Sequence, residues 1–298
     1  MVKAFGLLLL LSVVATFDKP PSGNAVIRAK AGASEIVITT TSRVAGAIHS
    51  VRWGGKEFID SLDHGRQLQS ASNLDRGGPL IAEVFNPTEA GSRADHIGPK
   101  SSSRLLALSA QGPELRTKSL MAFWLKPGER SQGHLALNDR VLSAHGLSKR
   151  VHIGHRGNPH VIEYDVTFTL PKGERHTIAQ FEALTGYMPA EFGRFLKYDR
   201  KSQSFQPLDD GPGEQAAPVV LATANGSHAM GIYSPDPSPG YGRFRFLPER
   251  VTKWNCVFRV RDPAGIKPGD YSYRMYVEVG TLEDVRRALG DLHNEFHK

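Results

Sequence analysis

The sequence predicts an all-β chain, a large sandwich of long antiparallel strands ending in one C-terminal amphipathic helix. Three observations predict it. Apolar and polar residues alternate with period two in segment after segment. Gly 30 and Pro 19 together make roughly a sixth of the 298 residues, a turn density that leaves little room for long helices. Only the residues from Thr281 onward carry sustained helical periodicity.

Taken in order, strands are expected at 25–30, 35–40 and 47–53, followed by a tight Gly54-Gly55 turn into 56–59. Further strands are expected at 105–109 and 119–125. The clearest alternation is 161–170, with Ile162, Tyr164, Val166, Phe168 and Leu170 on one face and Glu163, Asp165, Thr167 and Thr169 on the other. Segments 219–224 and 228–233 flank Asn225-Gly226, which predicts a type I′ hairpin. Segment 254–260 places Trp254, Cys256 and Phe258 on one face, and 271–279 alternates again. Thr281 with Asp284 makes a capping-box start, and Leu282, Val285, Leu289, Leu292 and Phe296 recur at helical spacing. About a dozen strands or more split into two packed sheets. No repeat and no linker divides the chain, so 16–298 reads as one domain.

Residues 1–15 read as a secretory leader: Lys3 is the positive start, 4–15 (AFGLLLLLSVVA) a short apolar run, and Ala15 a small residue at the cleavage point. This predicts a secreted or periplasmic protein with no transmembrane span, because the run is too short and no second one follows. Cys256, the single cysteine, excludes an internal disulfide and reads as a buried structural thiol. The formal charge of +7 is spread along the chain without a basic cluster, which argues against nucleic acid as a partner.

Candidate chemistry concentrates in residues 53–93. Asp60, Asp63, His64, Arg66, Gln67, Gln69, Asn73, Asp75, Glu83, Asn86, Glu89 and Arg93 crowd there, too many polar groups to bury without partners. They read as a hydrogen-bonding wall for sugar hydroxyls, with Gln67, Asn86 and Arg93 among the contacts. Asp63 and Arg66 would position the ligand, Arg66 through its two-pronged guanidinium, and His64 would move a proton. Glu89, stiffened by Pro87, is the first candidate for a general acid and Glu83 the second. Farther on, Glu182 is the candidate base or partner carboxylate, and Tyr187 a stacking platform for a pyranose. His145, His152, His155 and His160 match no zinc spacing, so no metal and no cofactor are expected. Trp124 and Trp254 read as core.

Residues 46–59 (GAIHSVRWGGKEFI) resemble the opening hairpin of the galactose-mutarotase-like superfamily: a glycine-containing strand, a Ser-Val pair and a Gly-Lys-Glu turn. The resemblance implies a β-supersandwich, and a group that includes aldose epimerases, polysaccharide lyases and glycosidase domains. Arg66 stands near the place of an arginine that follows the first hairpin in the epimerases, whereas Asp63-His64-Gly65 departs from their pattern. The expectation is a carbohydrate-active enzyme on a poly- or oligosaccharide, a paired-carboxylate hydrolase ahead of a lyase. The alternatives are an epimerase with His64 as its acid and a non-catalytic carbohydrate-binding envelope protein.

Overall fold

The computed structural model describes residues 21–248 and 250–297; the expected leader at 1–15 lies outside them. The first strands are β1 (Ala25–Ala31), β2 (Ser34–Thr40), β3 (Ile48–Trp53), β4 (Lys56–Glu57), β5 (Leu68–Leu74), β6 (Pro87–Thr88), β7 (Arg104–Gln111) and β8 (Glu114–Phe123). Next come β9 (Arg130–Ser131), β10 (His134–Leu135), β11 (Leu142–His155), β12 (Asn158–Leu170), β13 (Ile178–Pro189), β14 (Arg194–Asp199) and β15 (Ser204–Pro207). The last are β16 (Gly213–Gln215), β17 (Val219–Ala222), β18 (Ala229–Tyr233), β19 (Gly240–Phe246), β20 (Val251–Arg261) and β21 (Gly269–Gly280), followed by helix α1 (Leu282–Phe296).

Every pairing among the described residues is antiparallel, and the pairings trace two large arrays and a separate β9-β10 hairpin. The first runs β1-β2-β3-β5-β13-β20-β19-β16, with β4 folded back on β3; the second runs β7-β8-β11-β12-β21-β18-β17-β14-β15. Short β6 joins them, pairing with β5 through Thr88 and with β8 through Pro87 and Thr88. The chain is therefore the all-β sandwich its alternation predicts. Inward residues of both arrays share one core: Ile36, Phe181, Trp254, Cys256 and Phe258 from the first meet Ile162, Tyr164, Phe168, Met275 and Val277 from the second. Phe258 stacks on Tyr273 at 4.2 Å and Phe168 tilts against Phe181 at 4.9 Å across the layers. Each fully buried side chain of this size contributes about 1.5–3 kcal/mol. Burial also pushes the Cys256 thiol well above its ordinary range, so it is structural.

Local chemistry sets the turns. Gly54 and Gly55 both take positive φ, 58° and 77°, as the I′ geometry between β3 and β4 requires. The hairpin expected at Asn225-Gly226 is different: β17 and β18 pair Ala222 with Ala229, leaving a six-residue connection. The Asn225 carboxamide accepts from the Ser227 N–H at 3.0 Å and the Thr223 hydroxyl at 3.1 Å, and Gly226, φ 72°, donates to the Thr223 carbonyl at 2.9 Å. A type I turn with its glycine in fourth place satisfies these groups and replaces the two-residue turn.

Helix α1 lies on the outer face of the second array. Thr281 and Asp284 make the expected capping box, and Val285, Ala288, Leu289 and Leu292 cover Val161, Val220, Ala229, Tyr233 and Tyr276. Among the described residues no helix is long and apolar enough to cross a membrane. With α1 on one outer face, the outer face of the first array stays open, and the cleft described below forms there.

Glu278 of β21 is fully buried, and neither of its carboxyl oxygens has a hydrogen-bond partner among the described residues. Gly231, its cross-strand neighbour, makes the room: a Cβ there would lie 2.6 Å from Glu278 Oε2. Burial raises the Glu278 carboxyl well above 4.5. A raised folded-state pKa means stability is fully present below the unfolded value and is lost as pH rises toward the folded one. In Glu278→Gln this loss is expected to vanish. Thermal melts from pH 4 to pH 8 should show the variant gaining on the wild type as pH rises; a difference independent of pH would refute the assignment.

Candidate functional site

Four strands of the first array floor a cleft of about 740 Å³. β5 supplies Gln69, Ala71 and Asn73; β13 supplies Gln180, Glu182, Thr185 and Tyr187; β20 supplies Lys253, Asn255, Val257 and Arg259; β19 supplies Phe244 and Phe246. Loops add Asp63, Arg66, Glu83, Asn86 and Trp124 to the walls, and β16 adds Glu214.

A β-bulge arranges the floor. Along β13 the register shifts between Glu182 and Leu184 against β20, and between Glu182 and Thr185 against β5. Residues 183 and 184 both turn inward and are buried, so the alternation changes parity. Thr185 and Tyr187 thereby face the cleft together with Gln180 and Glu182. The Ala183 carbonyl at the bulge accepts from the Ser70 hydroxyl at 2.7 Å.

Glu182 sits at the centre of this constellation. Its Oε2 accepts from Thr185 Oγ1 at 3.0 Å, Lys253 Nζ at 3.2 Å and Asn255 Nδ2 at 3.4 Å. Oε1 has no such partner among the described residues. The Asn255 amide is oriented from behind, since its Oδ1 accepts the Gly242 N–H at 3.0 Å. Residue 242 must be glycine for this approach, because a Cβ would lie 2.2 Å from that oxygen. Burial raises the Glu182 carboxyl, but the Lys253 charge and the three hydrogen bonds outweigh it and hold the group below 4.5. Burial lowers Lys253, yet Glu182 holds it above its ordinary value, and burial pushes the Tyr187 phenol up. At neutral pH the site is a carboxylate beside an ammonium and a protonated phenol.

Lys253 Nζ lies 5.2 Å from the ring centres of both Tyr187 and Phe244, a double cation–π arrangement. Each lining cation has an acid partner: Lys253 with Glu182, Arg66 with Asp63 at 3.1 Å, and Arg259 with Glu214 through two bonds of 2.7 Å. Glu83 is the lining carboxylate without a cation; its Oε2 accepts from the Ser131 hydroxyl at 2.7 Å. Its φ of 69° is costly for a side-chain-bearing residue, on the order of 1 kcal/mol or more. The Asn73 carboxamide holds it by accepting the Glu83 N–H at 2.9 Å.

Of the wider polar wall, Gln69 and Asn73 line this cleft and Asp60 and Asp75 do not; of the ten residues given individual roles from sequence, Glu182, Glu83, Asp63, Arg66, Asn86 and Tyr187 line it. Four do not, and their expected roles are corrected. Glu89 is buried in an ion pair with Lys149 and accepts the Ser70 N–H at 3.1 Å, so it has no route to a leaving group in the cleft. His64 is also buried, its Nδ1 2.6 Å from the His96 carbonyl oxygen and its Nε2 2.8 Å from that of Arg43; both nitrogens are engaged, and the ring pins two loops. Gln67 is fully buried beneath the 61–66 loop, donating to the Asp63 carbonyl. Arg93 points outward to Glu129 at 3.5 Å.

Sequence reasoning missed Thr185, Lys253, Asn255, Arg259, Phe244, Phe246 and the cleft position of Trp124. Lys253, Asn255 and Arg259 had a signal, being the outward set of the alternation that buries Trp254, Cys256 and Phe258. Trp124 is placed by Gly65, where a Cβ would lie 2.7 Å from the indole. The remaining histidines turn elsewhere: His152 to the Gly154 carbonyl at 3.0 Å, His155 to Glu163 and Glu295 at 2.8 and 3.0 Å, and His160 to the Val279 carbonyl at 2.8 Å.

No protein-family model matches the chain, and no curated protein matches it in sequence. Solved structures similar to it include a protein of Synechocystis sp. PCC 6803, 8% identical, covering 91% of this chain and 100% of that one, with a TM-score of 0.48. An α-galactosidase of Geobacillus stearothermophilus is 9% identical over 87% of this chain, at a TM-score of 0.47; the chain spans 40% of that enzyme's length. A Klebsiella pneumoniae protein designated an aldose 1-epimerase is 11% identical, covering 89% of this chain and 84% of that one, at 0.45. All three likenesses lie below a TM-score of 0.5, and the chemistry of the cleft is read from its own residues.

Proposed function

We propose that the protein binds a poly- or oligosaccharide across the open face of the first array and hydrolyses it with a pair of carboxylates. One observation carries this reading: Glu182 is anchored through one oxygen to Lys253, Thr185 and Asn255 while its other oxygen is left to the cleft. A carboxylate held ionised in this way is suited to act as base or nucleophile. Glu83, the lining carboxylate with no cation beside it, takes the acid's part. The walls match a sugar: Trp124, Phe244, Phe246 and Tyr187 offer flat apolar faces, and Gln69, Asn73, Asn86 and Gln180 offer amides for hydroxyls. Export belongs to the same reading, supported by Lys3 and the apolar 4–15 run, and is tested by N-terminal sequencing of the mature protein.

The test is a polysaccharide panel incubated with purified protein, read by reducing ends and by ultraviolet absorbance. New reducing ends without new absorbance support hydrolysis. Unsaturated products would replace it with elimination. Retention on a glycan with no turnover would reduce the cleft to a binding module.

A further inference from the structure

We propose that His145, Glu174 and His176 form a binding site for one divalent transition-metal ion of the Zn²⁺ class. His145, on β11, is fully buried; His176, two residues ahead of β13, is nearly so. Both turn Nε2 to the same oxygen, Glu174 Oε2, at 2.8 and 3.0 Å. The Asp75 carbonyl faces Nδ1 of His176, so that nitrogen carries the hydrogen and donates it. Nε2 of both rings thus converges on one carboxylate oxygen, an arrangement that a shared cation satisfies.

A metal ion meets that need. Ligating histidines are oriented by just such an outer N–H to carbonyl bond. A tetrahedral ion with arms of about 2.0–2.2 Å sets its ligands about 3.3–3.6 Å apart, so each histidine nitrogen need move from the Glu174 oxygen by less than about 1 Å. A second observation points to an exogenous ligand. Glu174 borders a cavity of about 310 Å³, also lined by Asn138, whose buried Oδ1 has no hydrogen-bond partner among the described residues. The cavity leaves room for the water or oxyanion that completes a three-ligand site.

The ion would act as a clip. His145 belongs to the second array, whereas His176 leads into β13, the strand that presents Glu182 in the first. The sequence pattern hid the site because its ligands come from separate segments, brought together by the pairing of β11 with β12.

The experiment uses metal-free full-length protein titrated with Co²⁺ and read by visible absorption. The expected result is one equivalent per chain with bands of a low-symmetry four- or five-coordinate ion, displaced by Zn²⁺ and not by Mg²⁺. Glu174→Gln, which keeps volume and a hydrogen-bonding group, should weaken binding by more than about 100-fold. Melting supplies a readout independent of that variant: Zn²⁺ should raise the melting temperature of the metal-free wild type, and a chelator should reverse the rise. No saturable one-to-one binding, or binding undiminished in a folded Glu174→Gln, overturns the site and leaves a proton as the bridging cation.

Discussion

Glu182→Gln is expected to slow glycan turnover by about 10²–10⁴-fold, the range for removing a positioned general acid or base. Glutamine keeps the volume of the side chain and an oxygen for Lys253, Thr185 and Asn255 to address, but it supplies neither the charge nor the proton affinity. Affinity for the glycan should stay within about tenfold, a change of about 1.4 kcal/mol. The loss should therefore fall on kcat and not on KM. The pH behaviour follows from the same geometry. The folded-state pKa of Glu182 lies below 4.5, so its stabilising contribution is present above that value and is lost as pH falls through it toward the folded one. Melts of the two proteins should accordingly converge on acidification. Unchanged kcat in a folded Glu182→Gln would remove Glu182 from the chemistry.

Lys149→Met is expected to destabilise the fold by about 3–5 kcal/mol, because it leaves a buried carboxylate without its cation. Lys149 and Glu89 are 4% and 2% exposed, and among the described residues the Glu89 side chain keeps, beyond Lys149, only the Ser70 N–H. At this chain length the melting temperature should fall on the order of 10 °C. The double variant Glu89→Gln with Lys149→Met removes both charges and should recover most of the loss, since neutral replacement of a buried pair is often without net cost. Turnover by that double variant should match the wild type, because neither residue borders the cleft. A catalytic defect in the well-folded double variant would return Glu89 to the mechanism.

The two residues show where sequence reading succeeds and where it fails. The strands with strict alternation, the glycine turn at 54–55, and the capping box of Thr281 and Asp284 are local, and each follows from side-chain chemistry within a few positions. The candidate site depends on parity and on distant partners. The bulge at 183–184 lets four residues of β13 share a face that strict alternation would split, and nothing in Gln180–Tyr187 marks which residue is extra. The polar crowd between Asp60 and Arg93 was legible as a structured region, but its density did not tell an inward strut from a cleft wall. His64 and Gln67 bind backbone carbonyls, and Glu89 meets a lysine from β11; Asp63, Arg66, Glu83 and Asn86 face the ligand side. Lys149 and Lys253 are each a cation in a strand, and alternation separates them: Lys149 falls in the inward set with Leu147, Val151 and Ile153, Lys253 in the set opposite Trp254.

The open face of the first array is the proposed glycan site, and Trp124 reports on it. Of the three tryptophans, Trp124 lines the cleft, Trp254 is buried in the core, and Trp53 lies outside the cleft lining. Intrinsic fluorescence should change saturably when the glycan selected by the polysaccharide panel is titrated into wild-type protein, and Trp124→Phe should abolish that change with the fold intact. A change of equal size in Trp124→Phe would place the sugar elsewhere on the molecule and contradict the assignment of this cleft.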